Sequence, residues 1–145
     1  MKERKVCVDA SLVVKWLIPE ELSEHALGLL RDWRKDGVVL LAPALLMFEV
    51  LATIRKHLWR RTLTFSEAQR SVTYLFELPI QVKNDPKILG MAWDLANQLG
   101  QPTVYDTSYL ALAQMEDCAL WTADIKFARV IRDRFPNLRA LGEQA

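Results

Sequence analysis

Three times in this chain a short run of apolar and strand-forming residues arrives at an aspartate. Val6-Cys7-Val8 stops at Asp9, Thr103-Val104-Tyr105 at Asp106, and Ala119-Leu120-Trp121-Thr122 leads to Asp124. A run of strand formers without polar alternation is buried on both faces, the pattern of a central strand in a parallel sheet. Open α/β sheets keep their ligand crevice beyond the carboxyl ends of the strands. The three acids are therefore expected at three strand ends on one side of one sheet.

The rest of the chain supplies the helices such a sheet needs. Residues 11–17 have a helical pattern that Pro19 interrupts, and residues 20–35 carry Leu22, Ala26, Leu29, Leu30 and Trp33 on one side before Asp36-Gly37 ends the helix. Residues 38–41 form a second buried strand. Pro43 suits the first turn of a helix reaching about Arg60. Thr64-Phe65-Ser66-Glu67 offers helix-start chemistry for another, to about Glu77. Residues 79–82 suit a short edge segment, Asp85-Pro86 opens a helix that Gly100 closes, residues 125–135 form a last helix, and residues 138–141 a last strand. Strands alternating with helices imply covered faces and right-handed crossovers. The fold class expected is α/β: a single domain over residues 1–145, with a mostly parallel central sheet of four to five strands flanked by helices.

Composition narrows the function. Nineteen basic and eighteen acidic residues leave a net charge of +1, so a polyanion has to be met by a local patch rather than a global field. Cys7 and Cys118 each lie in an apolar run and read as buried free thiols. Only three apolar residues separate the charged start of the chain from Asp9, too few for a signal peptide, and no apolar stretch approaches a membrane span. A cytoplasmic protein without a membrane partner is expected.

One aspartate after a strand is ordinarily a turn or helix-cap residue; three together favour a site. Glu49 adds a fourth acid, the only polar residue in Ala44-Leu-Leu-Met-Phe-Glu-Val-Leu-Ala52. A helix that apolar is expected to be buried, and a buried carboxylate needs a cation, an arginine, a proton or a hydrogen-bond network. An ion pair with Arg55 or Lys15 is the ordinary explanation, and a metal ion shared with the other acids the alternative favoured here. The two histidines, His25 and His57, lack metal-ligand spacing, which disfavours zinc. Oxygen donors suit Mg²⁺, with Mn²⁺ as the variant, and the matching chemistry is metal-assisted phosphodiester hydrolysis. Ser11 and Thr122 read as hydroxyls that orient a carboxylate, and Thr107 as a helix cap. A GxGxxG turn, a P-loop and a GxSxG elbow are all missing from the sequence, and Asp9-Ala10-Ser11 fits neither receiver domains nor Asp-x-Asp phosphatases.

Val8-Asp9-Ala10-Ser11, the stretch from Pro43 to Glu49, Tyr105-Asp106-Thr107-Ser108-Tyr109-Leu110-Ala111-Leu112-Ala113 and Trp121-Thr122-Ala123-Asp124 resemble, in order, the motifs of PIN-domain ribonucleases, and within them the VapC toxins of prokaryotic toxin–antitoxin pairs. The resemblance implies Asp9 and Asp106 as principal Mg²⁺ ligands, Asp124 as a further ligand, and Glu49 as the acid that orients or deprotonates the attacking water. It also implies a homodimer, and a cognate antitoxin that wraps the groove near the active site. With it come two variants: a housekeeping PIN nuclease of RNA maturation, and a non-catalytic PIN-like protein-interaction domain.

The candidate RNA contacts are Arg55, Lys56, Arg60 and Arg61, in a basic stretch interleaved with Trp59, together with Lys15, Lys126 and Arg129. Basic and aromatic residues together suit RNA backbone and bases; a solvated helix end is the ordinary alternative. Five tryptophans are more than one small core needs at its centre, so some are expected at a dimer or antitoxin interface.

Overall fold

A computed structural model describes residues 4–143; the first three residues of the charged N-terminal stretch lie outside the described residues. Strands β1 (Lys5–Val8), β2 (Val39–Pro43), β3 (Ile80–Lys83), β4 (Ala119–Thr122) and β5 (Leu138–Ala140) form one parallel sheet in the order β3-β2-β1-β4-β5. The helices are α1 (Ala10–Leu17), α2 (Ser23–Lys35), α3 (Leu45–Trp59), α4 (Phe65–Glu77), α5 (Pro86–Leu99), α6 (Tyr105–Met115) and α7 (Ile125–Ile131). From β1 the chain moves one way to β2 and β3; it then crosses back through α5 and α6 to lay β4 on the other side of β1. The reversal makes the β1–β4 boundary the topological switch point, where open parallel sheets form a crevice. α1 packs on α2, α3 and α4, while α6 lies over β1, β2 and β4 and packs on α5. Central β1 is sealed on both faces: Val6, Cys7 and Val8 are fully buried. Both cysteines lie in the interior, and neither is in a disulfide.

The local chemistry sets the boundaries. α4 begins with a complete capping box, in which the Thr64 hydroxyl accepts from Glu67 N–H and the Glu67 carboxylate accepts from Thr64 N–H. α5 starts with Asp85 as cap and Pro86 in the first turn, and stops at Gly100, whose φ of +63° is in the left-handed region.

Four expectations need correction. Thr103-Val104-Tyr105 is not a strand: α5 ends at Gly100, and Ser108 N–H already bonds to Val104 C=O, so the segment is a short connection running into the first turn of α6. The helix expected from residue 20 starts at Ser23, because Ser23 Oγ accepts from Glu20 N–H and donates to Ile18 C=O, tying residues 18–23 into a turn. Pro43 closes β2 instead of opening α3, since Ala44 N–H still pairs with Lys83 C=O on β3. The last helix ends at Ile131 and tightens into a 3-10 turn over Arg132–Arg134, before Pro136.

The tryptophans divide by environment. Trp16, Trp33 and Trp121 form an edge-to-face chain with centroid separations of 6.3 and 5.5 Å. Trp59 and Trp93 are exposed. Among the described residues, no helix is long and apolar enough to cross a membrane.

Candidate active site

Asp9 leaves β1 at the switch point and caps α1. Its Oδ1 accepts from Leu12 N–H at 3.0 Å and from the Ser11 hydroxyl at 2.7 Å, and its Oδ2 accepts from the Thr122 hydroxyl at 2.5 Å. Thr122 is the last residue of β4, beside β1, so strand order alone places it there. Each hydroxyl has one proton. With both given to Asp9, the Ser11 and Thr122 oxygens act as acceptors towards the next loop, Ser11 Oγ from Ala123 N–H and Thr122 Oγ1 from Asp124 N–H. This network fixes the Asp9 carboxylate and the start of the Asp124 loop as one unit. Burial outweighs those donors: it pushes the Asp9 carboxyl from 3.8 up to about 6, with the nearby charge of Asp106 adding to the rise.

Asp124 caps α7, accepting from Phe127 N–H at 3.0 Å, and is exposed. Asp106 lies in the first turn of α6, where a helix N-terminus favours negative charge. The residue is exposed overall, but enclosure of its carboxyl raises the pKa, and the charges of Glu49 and Asp124 raise it further. Asp106 thus links the acids: its charge acts on Asp9, and those of Glu49 and Asp124 act on it.

Glu49 is half-buried, not buried as its apolar run implied. Only one face of α3, with Leu46, Val50 and Ile54, enters the core, whereas Phe48 stays 74% exposed. Neither Arg55 nor Lys15 pairs with Glu49. Its partner is the Tyr109 hydroxyl, which donates to Oε1 at 2.5 Å. Tyr109 is almost wholly buried, and burial followed by the Glu49 contact drives its phenol pKa far above normal. Tyr109 has no role among the candidates of the sequence; its spacing of one helical turn from Asp106 is the signal that marks it. Thr107 is not a cap: its hydroxyl is buried and donates to Ala92 C=O at 2.9 Å, clamping α6 to α5.

The basic candidates separate. Lys15 is tied back, donating to Glu20 Oε1 at 3.2 Å and Glu21 C=O at 2.7 Å. Arg55 lines an apolar groove between α3 and α4, and Arg60 and Arg61 lie just beyond the end of α3. Lys126 is exposed on α7 near Asp124, and so is Arg129.

Among the described residues, no three His, Cys, Asp or Glu side chains gather tightly enough to hold an ion as placed. The donor set nevertheless fits a hard divalent cation. It is all oxygen and mutually repulsive, and Asp9 and Asp106 both have pKa values raised in part by neighbouring acids. A cation held partly through water would relieve that repulsion.

The doubly wound parallel sheet defines a broad class, and residues 6–133 match the family model of the PIN domain. The chain belongs to the PIN-domain family. It is 32% identical over 136 residues to Ribonuclease VapC3 of Pyrobaculum aerophilum, covering 92% of this chain and 97% of that protein. Its fold is similar to that of a toxin–antitoxin complex from Klebsiella pneumoniae (TM-score 0.66, 15% identity, 93% of this chain and 96% of that one). It is also similar to Mycobacterium tuberculosis VapC20, a sarcin-ricin loop cleaving toxin (TM-score 0.64, 13% identity, 86% and 93%).

Proposed function

We propose that this protein is a VapC-type endoribonuclease toxin that hydrolyses RNA phosphodiester bonds at the four-carboxylate site, with Mg²⁺ as cofactor and Mn²⁺ as a substitute. The observation that carries this reading is the position of Asp106, in the first turn of α6, where its charge acts on Asp9 and the charges of Glu49 and Asp124 act on it. Likeness to a ribonuclease over nearly the full length of both chains supports it. A divalent cation bound there supplies acidification of water and neutralisation of charge on the phosphate. Asp9, Asp106 and Asp124 are assigned to hold the cation, with Ser11 and Thr122 keeping Asp9 in place. Glu49, steadied by Tyr109, is assigned to orient the attacking water or take its proton.

The partners proposed are a cognate antitoxin and a second copy of the chain. A toxin–antitoxin complex among the similar structures supports the first. The apolar groove of about 430 Å³ between α3 and α4, with Phe48 and Phe65 exposed at its rim, is the surface offered for such contacts.

The test is cleavage of a panel of tRNAs and rRNA fragments by the purified protein with magnesium, with EDTA, and with Asp106→Asn. Cleavage that leaves a 5′-phosphate and a 3′-hydroxyl and needs both metal and Asp106 is expected. Full activity of a folded Asp106→Asn protein would overturn the site. A protein that binds an antitoxin tightly yet cleaves no RNA would instead be the non-catalytic interaction domain.

A further inference from the structure

We propose that the cleft between α1 and α3 is a subsite for an RNA backbone phosphate next to the scissile one, and that Lys56 is the residue that binds it. The inference rests on the reading of the protein as a ribonuclease. The cleft has a volume of about 460 Å³, and its lining includes Ser11 and Lys15 from α1, Glu20, and Glu49, Thr53 and Lys56 from α3. It is therefore continuous with the carboxylate site, sharing Glu49 and Ser11 with it.

The charges lining this cleft are not equivalent. Lys15 and Glu20 neutralise each other, and the Glu49 carboxylate accepts from Tyr109. The Lys56 ammonium has no hydrogen-bond or ion-pair partner among the described residues, while its backbone carbonyl accepts from Arg60 N–H. Glu49, Thr53 and Lys56 recur at i, i+4 and i+7, so they share one face of α3. At 1.5 Å rise per residue, Lys56 stands about 10 Å along the axis from Glu49. A lysine side chain on a helix leans toward the N-terminus, so from that position its ammonium is directed along the cleft toward a phosphate neighbouring the reacting one. The Thr53 hydroxyl lies between them; its proton goes to Glu49 C=O at 3.0 Å. Arg55, the next residue back, faces the apolar groove on another side of the helix. Of the basic stretch at the end of α3, Lys56 is the residue that lines the cleft.

The contact is electrostatic and carries no base specificity. Lys56→Ala is thus expected to weaken binding of any sequence and to release fewer counterions, without touching the chemical step.

The experiment measures binding of a fluorescein-labelled short oligouridylate by anisotropy across a salt titration, in an Asp106→Asn background that keeps the probe intact. Adding Lys56→Ala is expected to weaken binding about tenfold at low salt. The slope of log K against log salt should become shallower by about 0.7. Lys56→Arg should restore both, and Lys87→Ala, at the start of α5, should change neither. Unaltered affinity and slope with Lys56→Ala, in a protein that does bind the probe, would overturn the subsite and leave the nuclease reading intact. Absence of binding, together with absence of RNA cleavage by the wild type, would overturn both.

Discussion

Asp9→Asn should make the metal-free protein more stable, and the structure gives the size. Asp9 is buried, with 8% of the residue exposed, and its carboxyl pKa stands at about 6 instead of 3.8. Because the folded state holds this proton more tightly than the unfolded chain does, the associated stability is fully present below about pH 4. It is lost as pH rises through about 6. A rise of about two units corresponds to at most about 3 kcal/mol at neutral pH, at 1.36 kcal/mol per unit. Asn has nearly the same shape and removes the charge. It keeps an oxygen for Leu12 N–H and Ser11, and it is as good a helix cap as Asp. Thermal unfolding in EDTA should therefore show Asp9→Asn above wild type at about pH 8, by several degrees for a domain of this size. The two curves should converge near pH 4, where the wild-type carboxyl is neutral. Adding magnesium should stabilise the wild type and leave the variant unmoved, since only the wild type offers the full anionic site. If Asp9→Asn melts below wild type at pH 8 in EDTA, the buried charge is not a net cost, and the reasoning about the site fails.

Two more outcomes follow from single hydrogen bonds. Tyr109→Phe removes the donor to Glu49 and leaves the ring packing, so RNA cleavage should fall about tenfold in kcat with little change in KM, read in steady-state kinetics on the substrate found in the RNA panel. Thr64→Ala breaks the capping box of α4 far from the acids; urea unfolding should show a loss of about 1 kcal/mol, with cleavage unchanged.

The sequence carried the sheet well because its signals were local. Uninterrupted apolar runs at Val6–Val8 and Ala119–Thr122, the Thr64 capping box and the Asp85-Pro86 start each settle their own element without help from the rest of the chain. Thr103-Val104-Tyr105 misled because strand propensity is weak without a strand to pair with; Thr103 and Val104 stay in the connection between α5 and α6, and Tyr105 begins α6. The apolar run around Glu49 misled for a different reason. A surface that awaits a partner has the same composition as a core, so Phe48 read as buried although it is exposed. Tyr109 was out of reach of any local rule, since it meets Glu49 across 60 positions of sequence. Only the return of the chain through α5 and α6 brings the two together.

That return also resolves the tension between cap and catalyst. Asp9 and Asp124 are both helix caps, as the ordinary reading of an acid after a strand has it. Yet they follow β1 and β4, the two strands on either side of the switch point, and each cap holds its carboxylate at the carboxyl edge of the sheet. Capping consumes one oxygen of each: Asp9 Oδ1 takes Leu12 N–H, and Asp124 Oδ1 takes Phe127 N–H. A carboxylate has about four acceptor sites over two oxygens, so the cap fixes the group without exhausting it. The structural role is what makes the proposed chemical one precise in geometry, because an acid on a free loop would lose the orientation that a pinned oxygen provides. Alanine substitutions at these positions would therefore mix a lost cap, worth about 1 kcal/mol, with a lost ligand. The Asp-to-Asn pair separates them, keeping the cap while removing the charge.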